Sequence, residues 1–252
     1  MTSKSTIIEV RDLTVGYGDR TILHDVSFEV QRGEILFILG GSGSGKSTLL
    51  KHMIGLYEPT TGQVSIDGLD LVGAGPEQRR QILRKIGVAY QSGALFGSMT
   101  LGDNIKLPLE AFTHLPPSAM TEIAQRKLGL VGLHDALDLM PNELSGGMVK
   151  RAAIARAMAL DPAILFLDEP SAGLDPVTSA ELDDLICGLS RDLNITFVVV
   201  SHELASIFAI SDRVIMVDKV TQGIIADGVA SDLRDHSELP AVRHFFNRQP
   251  AT

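Results

Sequence analysis

The stretch "EILFILGGSGSGKST" (34–48) constrains the fold of this chain more than any other segment. "EILFILG" (34–40) reads as a buried strand, and "KSTLLKHMIG" (46–55) reads as a helix that Gly55 can terminate. Between them, Gly40, Gly41, Ser42, Gly43, Ser44, Gly45, Lys46 and Ser47 fit G-x-x-x-x-G-K-[ST], and Thr48 follows. The glycines allow a loop whose N–H groups converge on phosphate oxygens. Lys46 supplies a positive charge to the outer phosphates, Ser47 a hydroxyl for Mg²⁺, and the helix dipole adds to the field. Strand, phosphate loop and helix form one unit of an α/β fold, and the rest of the chain must continue it.

The continuation is legible. Segments 7–15, 26–30 and 63–66 alternate apolar and polar residues, as exposed-face strands do, and "IGVAYQ" (86–91) is another candidate. From 92 to 160 the pattern turns helical, broken by Pro108, Pro116, Pro117, Gly129, Gly132 and Pro141. Strands resume with "AILFLDEP" (163–170), "ITFVVVSH" (195–202) and "RVIMVDK" (213–219). We therefore expect an α/β nucleotide-binding core over 1–91 and 161–236, with an antiparallel β edge. A helical lobe (92–160) is inserted in it, and a C-terminal tail (237–252) stands outside the alternation.

A chain of 252 residues can bury such a core without staples, and its single Cys187 excludes an internal disulfide. "MTSKSTIIEVRD" lacks the apolar region of a secretory signal, and "ILFIL" and "FVVV" are too short to span a bilayer. The net charge of −9 speaks against a nucleic-acid partner. A cytosolic protein is expected, with any membrane role coming through a partner.

A second phosphate site is written into "ELSGGMVKR" (143–151). Ser145 is a good N-cap for the helix that follows, and Gly146 and Gly147 would let a ligand approach its first free N–H groups. One loop already wraps one nucleotide, so a second cradle is useful only against another nucleotide. In a two-fold homodimer each cradle covers the ATP held by the other chain. "ILFLDEP" adds Asp168 and Glu169 at the end of an apolar strand, where charges are costly unless used. Asp168 suits a Mg²⁺ site and Glu169 suits polarising a water. Gln91 and His202 also close strands, at the end where ligands bind in open α/β sheets. By position alone each is more often just a polar strand end.

Taken in order, the phosphate loop, Gln91, "LSGGM" (144–148), "ILFLDE" (164–169), "SAGLD" (171–175) and His202 resemble the ATP-binding cassette of ABC transporters over residues 7–235. The resemblance implies a P-loop NTPase (RecA-like) core, ATP hydrolysis with Mg²⁺, and a dimer with two shared sites. It implies that Tyr17 stacks on adenine, Gln91 touches Mg²⁺, and Asp175 lies in the loop between the two sites. His202 would be the switch histidine and Glu169 the base, with Lys46 at the phosphates. Met148 stands where the family usually has Gln.

Met148, "QSGALFGSMTLGDNIKLPL" (91–109) and "HLPP" (114–117) are further similar to cassettes of MCE-type lipid transporters, the Mla or toluene-tolerance group. That likeness implies phospholipid cargo, an integral membrane permease, an MCE-domain lipid-binding protein and, in many members, a small STAS-domain protein. The cassette would then sit at the cytoplasmic face of the inner membrane. Leu95, Phe96, Met99 and Leu101 would face a permease helix. In the tail, Ser237 could cap a helix carrying Leu239, Val242, Phe245 and Phe246 as an apolar stripe. A cassette for another importer and a soluble ABC ATPase of cluster assembly are the alternative readings.

Overall fold

Apolar side chains alternate across the central strands and are buried on both sides of them, so the middle of the molecule is a sheet covered on two faces. A computed structural model describes residues 5–248. The hairpin β1 (Thr6–Tyr17) and β2 (Arg20–Gln31) leads to β3 (Ile35–Leu39), the phosphate loop and α1 (Lys46–Met53). Next come β4 (Thr61–Ile66), β5 (Leu69–Asp70), α2 (Pro76–Lys85) and β6 (Ile86–Ala89). Helices α3 (Leu101–Phe112), α4 (Pro117–Leu130) and α5 (Gly146–Ala157) follow, with a 3₁₀ turn at Pro141–Glu143. The sheet resumes with β7 (Ile164–Asp168), α6 (Pro176–Leu193), β8 (Thr196–Val200), α7 (Leu204–Ile210), β9 (Arg213–Asp218) and β10 (Gly223–Gly228). Helices α8 (Ala230–His236) and α9 (Pro240–Phe246) complete the described chain.

The strands form two sheets. One is antiparallel, in the order β2-β1-β4-β5; the other runs β10-β9-β3-β8-β7-β6, parallel except for β10. One face of the parallel sheet (Leu36, Ile38, Phe166, Val198, Val200) packs in a cluster with α1 and the antiparallel sheet. The other face (Phe37, Leu39, Leu165, Leu167, Phe197, Val199) packs with α3, α5, α6 and α7. The α/β class read from the sequence is the class of the structure. The antiparallel strands form a layer of their own, separate from the parallel sheet.

Local chemistry accounts for the element ends. Gly55, at φ 71°, closes α1 with two bonds: its own N–H to His52 O at 3.0 Å and that of Leu56 to Lys51 O at 2.9 Å. Pro108 does not break the helical stretch, contrary to expectation; α3 runs through it. The fully buried Asn104 holds the preceding loop, accepting from Phe96 N at 2.8 Å and donating to the carbonyls of Phe96, Met99 and Thr100.

Ser237 does not cap the tail helix; Leu239 occupies that position, and Ser237 ends α8. The stripe divides. Val242 and Phe246 are buried by the chain itself, with the Phe246 ring centroid 5.6 Å from that of Phe208 on α7, while Leu239 is 47% exposed. The last four tail residues, 249–252, and the first four of the chain lie outside the described residues. Phe246→Ala should therefore cost about 3 kcal/mol of stability, and Leu239→Ala should stay within about 0.5 kcal/mol. Urea midpoints of the two variants check this; equal midpoints would mean that α9 is not held by the core.

Candidate functional site

The ends of β3, β7 and β8 set the site, because parallel neighbours in register deliver their next residues at one level. β3 pairs Ile38 with Val200, and β7 pairs Asp168 with Val200. The phosphate loop leaves β3 at Gly40, where φ is 149° and an added Cβ would lie 2.3 Å from Val217 O. Gly45, at φ 101°, is pressed against Leu23. Gly41 and Gly43 have the opposite surroundings. An added Cβ there would meet nothing within 4 Å, so this is the open side of a cradle large enough to take phosphates.

Lys46 Nζ donates to the carbonyls of Gly40 (2.8 Å) and Gly41 (3.0 Å). Burial lowers its pKa, opposed by the charges of Glu169 and Asp168. Ser47 Oγ donates to Asp168 Oδ1 at 3.4 Å. Burial and the adjacent Glu169 raise the Asp168 pKa against the Ser47 hydroxyl, Lys51 and Lys46. A hydroxyl and a carboxylate, both hard oxygen donors, fit Mg²⁺, and a cation beside Asp168 would favour its ionised form. Such a site completes its shell with ligand oxygens and water. No group of three His, Cys, Asp or Glu side chains able to hold a metal ion by itself is found among the described residues, and this site does not require one.

Glu169 has a backbone φ of 49°, rare for a residue with a side chain, and its N–H is fixed to Val200 O at 2.8 Å. Its Oε1 lies 2.8 Å from His202 Nδ1, so that nitrogen carries the proton and donates to the carboxylate. Glu169 is mostly covered while His202 is exposed. Tyr17 ends β1 beside the loop, 43% exposed, with its hydroxyl accepting from Thr48 Oγ1 at 3.4 Å and its ring edge-on to Tyr57 at 5.4 Å. Ser42 is exposed at the rim, whereas Ser44 is buried with no partner for its hydroxyl.

The start of α5 carries the residues of the expected second cradle. Ser145 caps α5, accepting from Met148 N at 3.3 Å, and Gly146 is exposed. Gly147 is buried, and a Cβ there would come within 2.5 Å of Thr178 Cγ2 on α6. Helix packing by itself therefore requires a glycine there. Asp175 caps α6, accepting from Val177 N (3.0 Å), Thr178 N (3.1 Å) and Thr178 Oγ1 (2.5 Å), which lower its pKa.

Gln91 is exposed, two residues beyond β6, and its carbonyl accepts from Lys150 of α5. Sequence reading missed Lys150, which is only 8% exposed and whose pKa burial lowers. The available signal was a lysine one helical turn before Ala153 and Ile154, on the apolar face. Arg156, Lys51 and Thr178 were missed likewise.

The 91–109 stretch also divides. Leu101 is buried, Leu95 packs on the core and Phe96 is 55% exposed. None of these lines the cavity beside them. That cavity, about 410 Å³, is bounded by Ile54, Leu83, Val88, Tyr90, Pro108 and Phe112.

Comparison with known proteins agrees with this geometry. The family model described as ABC transporter matches residues 23–172. The Haemophilus influenzae protein named intermembrane phospholipid transport system ATP-binding protein MlaF is 39% identical over 237 residues, 94% of this chain and 89% of that one. A Mycobacterium leprae relative, named probable ribonucleotide transport ATP-binding protein mkl, is 40% identical over 95% of this chain and 68% of its own. The dimeric post-hydrolysis structure of the ATP-binding cassette MJ0796, bound to ADP and Pi, superposes with a TM-score of 0.78 at 28% identity, covering 88% of this chain and 98% of that one. With the phosphate cradle, the paired acids and these likenesses together, the chain belongs to the ABC transporter family, as an ATPase that binds and hydrolyses ATP on a P-loop NTPase fold.

Proposed function

We propose that the chain works as a homodimer with two composite ATP sites and powers phospholipid traffic across a bacterial envelope. In each site, residues 40–48 of one chain hold the phosphates, and the free N–H groups after Ser145 of the other chain cover them, with Gly146 on the open face and Met148 behind. Tyr17 stacks on the adenine, and Asp175 lies between the two sites. Mg²⁺, when bound by Ser47 and Asp168 with Gln91 near it, offsets charge on the phosphates. Glu169 accepts a proton from the attacking water as that water bonds to the γ-phosphorus and ADP leaves. His202 holds the Glu169 carboxylate in place through the bond to Oε1.

The observation that carries the cargo assignment is 39% identity to MlaF along 94% of the chain. The second reading, a ribonucleotide cargo, is favoured by the equal likeness to mkl. The cassette would be held at the cytoplasmic face of the inner membrane by an integral permease, with a short permease helix in the cavity beside Tyr90 and Phe112. An MCE-domain lipid-binding protein and a small STAS-domain protein complete the assembly. No helix among the described residues is long and apolar enough to cross a membrane, and this agrees with attachment through a permease.

Purification of the assembly in detergent should recover a permease and an MCE-domain protein. Mass spectrometry of the extract should find phospholipid enriched over the surrounding membrane; bound ribonucleotide with no lipid would favour the second reading. Glu169→Gln should keep ATP binding while turnover falls by about 10²–10⁴-fold, and it should trap an ATP-bound dimer. Lys46→Ala should instead weaken nucleotide binding. Normal turnover in the Gln variant would remove Glu169 from its role.

Ser145→Arg should abolish hydrolysis while leaving ATP binding to a single chain intact. Mixed with Lys46→Ala chains it should recover activity, because one site per mixed dimer is then undamaged. Wild-type hydrolysis by Ser145→Arg alone would rule out the shared-site arrangement.

A further inference from the structure

Strands β6 and β7 are paired in parallel as far as Ala89 and Leu167, and there the backbone ladder ends. Two residues past each of these in sequence stand Gln91 and Glu169, both beyond their strands and without a backbone bond between them. Lys150 bridges that gap. Its ammonium donates to the carbonyl of Gln91 and, at 3.3 Å, to the carbonyl of Glu169. An ammonium buried to this degree is costly unless its donors are used, and two of its three hydrogens are engaged here.

The same helix grips the next residues of the segment. Arg156 donates to the carbonyls of Ala94 (2.6 Å) and Gly93 (3.1 Å), and Ala94 is held at a φ of 48° that an alanine rarely adopts. Residues 91–94 and the backbone of Glu169 are thus fastened to α5, the helix that begins at Ser145.

We propose that Lys150 is a positioning residue for hydrolysis. It ties the two segments together past the end of the β6–β7 ladder and makes the Glu169 carboxylate follow α5. Movement of α5, whether driven by an ATP facing Ser145 or by a partner at residues 91–94, then sets the placement of the base. This rests on Glu169 being that base. The hydrogen bonds of Lys150 go to these two carbonyls and none reaches the phosphate loop, so the expected effect falls on rate and not on nucleotide affinity. A misplacement of about 1 Å at a catalytic group can cost on the order of 100-fold in rate, and this sets the size of the effect.

The test uses the purified full-length chain and compares Lys150→Met, Lys150→Gln and Lys150→Arg with the wild type and with Glu169→Gln. Lys150→Met should lower kcat by about 100-fold while KM for ATP stays within about 2-fold. Lys150→Arg, which keeps donors for both carbonyls, should return kcat to within about tenfold of wild type. Thermal midpoints and ATP-induced dimerisation of the folded variants report any merely structural role. Wild-type kcat in Lys150→Met overturns the proposal, as does a parallel loss of kcat, ATP affinity and melting temperature. If the Met variant does not fold, Lys150→Gln decides: lowered kcat at unchanged KM supports the proposal, and unchanged kcat overturns it. Should Glu169→Gln hydrolyse ATP normally, the reading of Glu169 fails instead, and the Lys150 proposal fails with it. A dead Glu169→Gln beside a normal Lys150→Met sinks Lys150 alone.

Discussion

The register of β3, β8 and β7 is the constraint on which the rest of the structure depends. Ile38 and Asp168 both pair with Val200, so the phosphate loop, the two acids and His202 leave the sheet at one height. These strands are buried on both faces. A slip of one residue would turn every side chain toward the opposite layer, sending Phe37 and Phe197 into the cluster that holds Leu36 and Val198. Catalytic geometry is therefore fixed by hydrophobic packing well away from the chemistry. The bond from Glu169 N–H to Val200 O extends the same control one residue past the strand and holds the acid in its unusual backbone conformation.

That geometry gathers charge in a half-covered place. Burial pushes the pKa values of Asp168, Lys46 and Lys150 each toward the neutral form. Asp168 and Glu169 repel each other, while the lysines and the acids favour one another's charged states. The charges of Lys51 and Lys46 oppose the rise at Asp168. The acids in turn keep Lys46 and Lys150 charged against burial. Lys46 and Asp168 thus each oppose the effect of burial on the other.

Much of this was legible in the sequence because the responsible chemistry is local. A strand, a Gly-rich loop, a lysine and a hydroxyl follow one another within fifteen residues, and "ILFLDE" carries its two acids at the end of an apolar run. What escaped the sequence depends on distant partners. Helix α2 is made almost wholly of polar residues and buries only Ile82, so it offers no apolar run to read. The two residues of β5 and the half-exposed β10 offer no run to read. Pro108 appeared to be a helix breaker, yet it sits inside α3. Lys150 leaves no local trace, because its two carbonyl partners come from segments 59 and 19 residues away along the chain.

The run Ser145-Gly146-Gly147 shows the same limit within three residues. Read as a string it is one anion cradle, but in the fold its members answer to separate demands. Ser145 satisfies the start of α5, Gly146 is open to solvent, and Gly147 makes room for Thr178. Thr178 is also bonded through its hydroxyl to Asp175, the cap of α6. Its methyl therefore meets α5 while its hydroxyl holds the start of α6, and the two helix starts are locked at contact distance. Any displacement of α5 must carry α6 and the 171–175 loop with it or open a gap at Thr178, and close-packed interiors resist such a gap. The lack of a side chain at Gly147 thus keeps the start of α5 and the Asp175 loop as a single mechanical piece. A Cβ at that position would press the two helices apart whether or not a nucleotide is present.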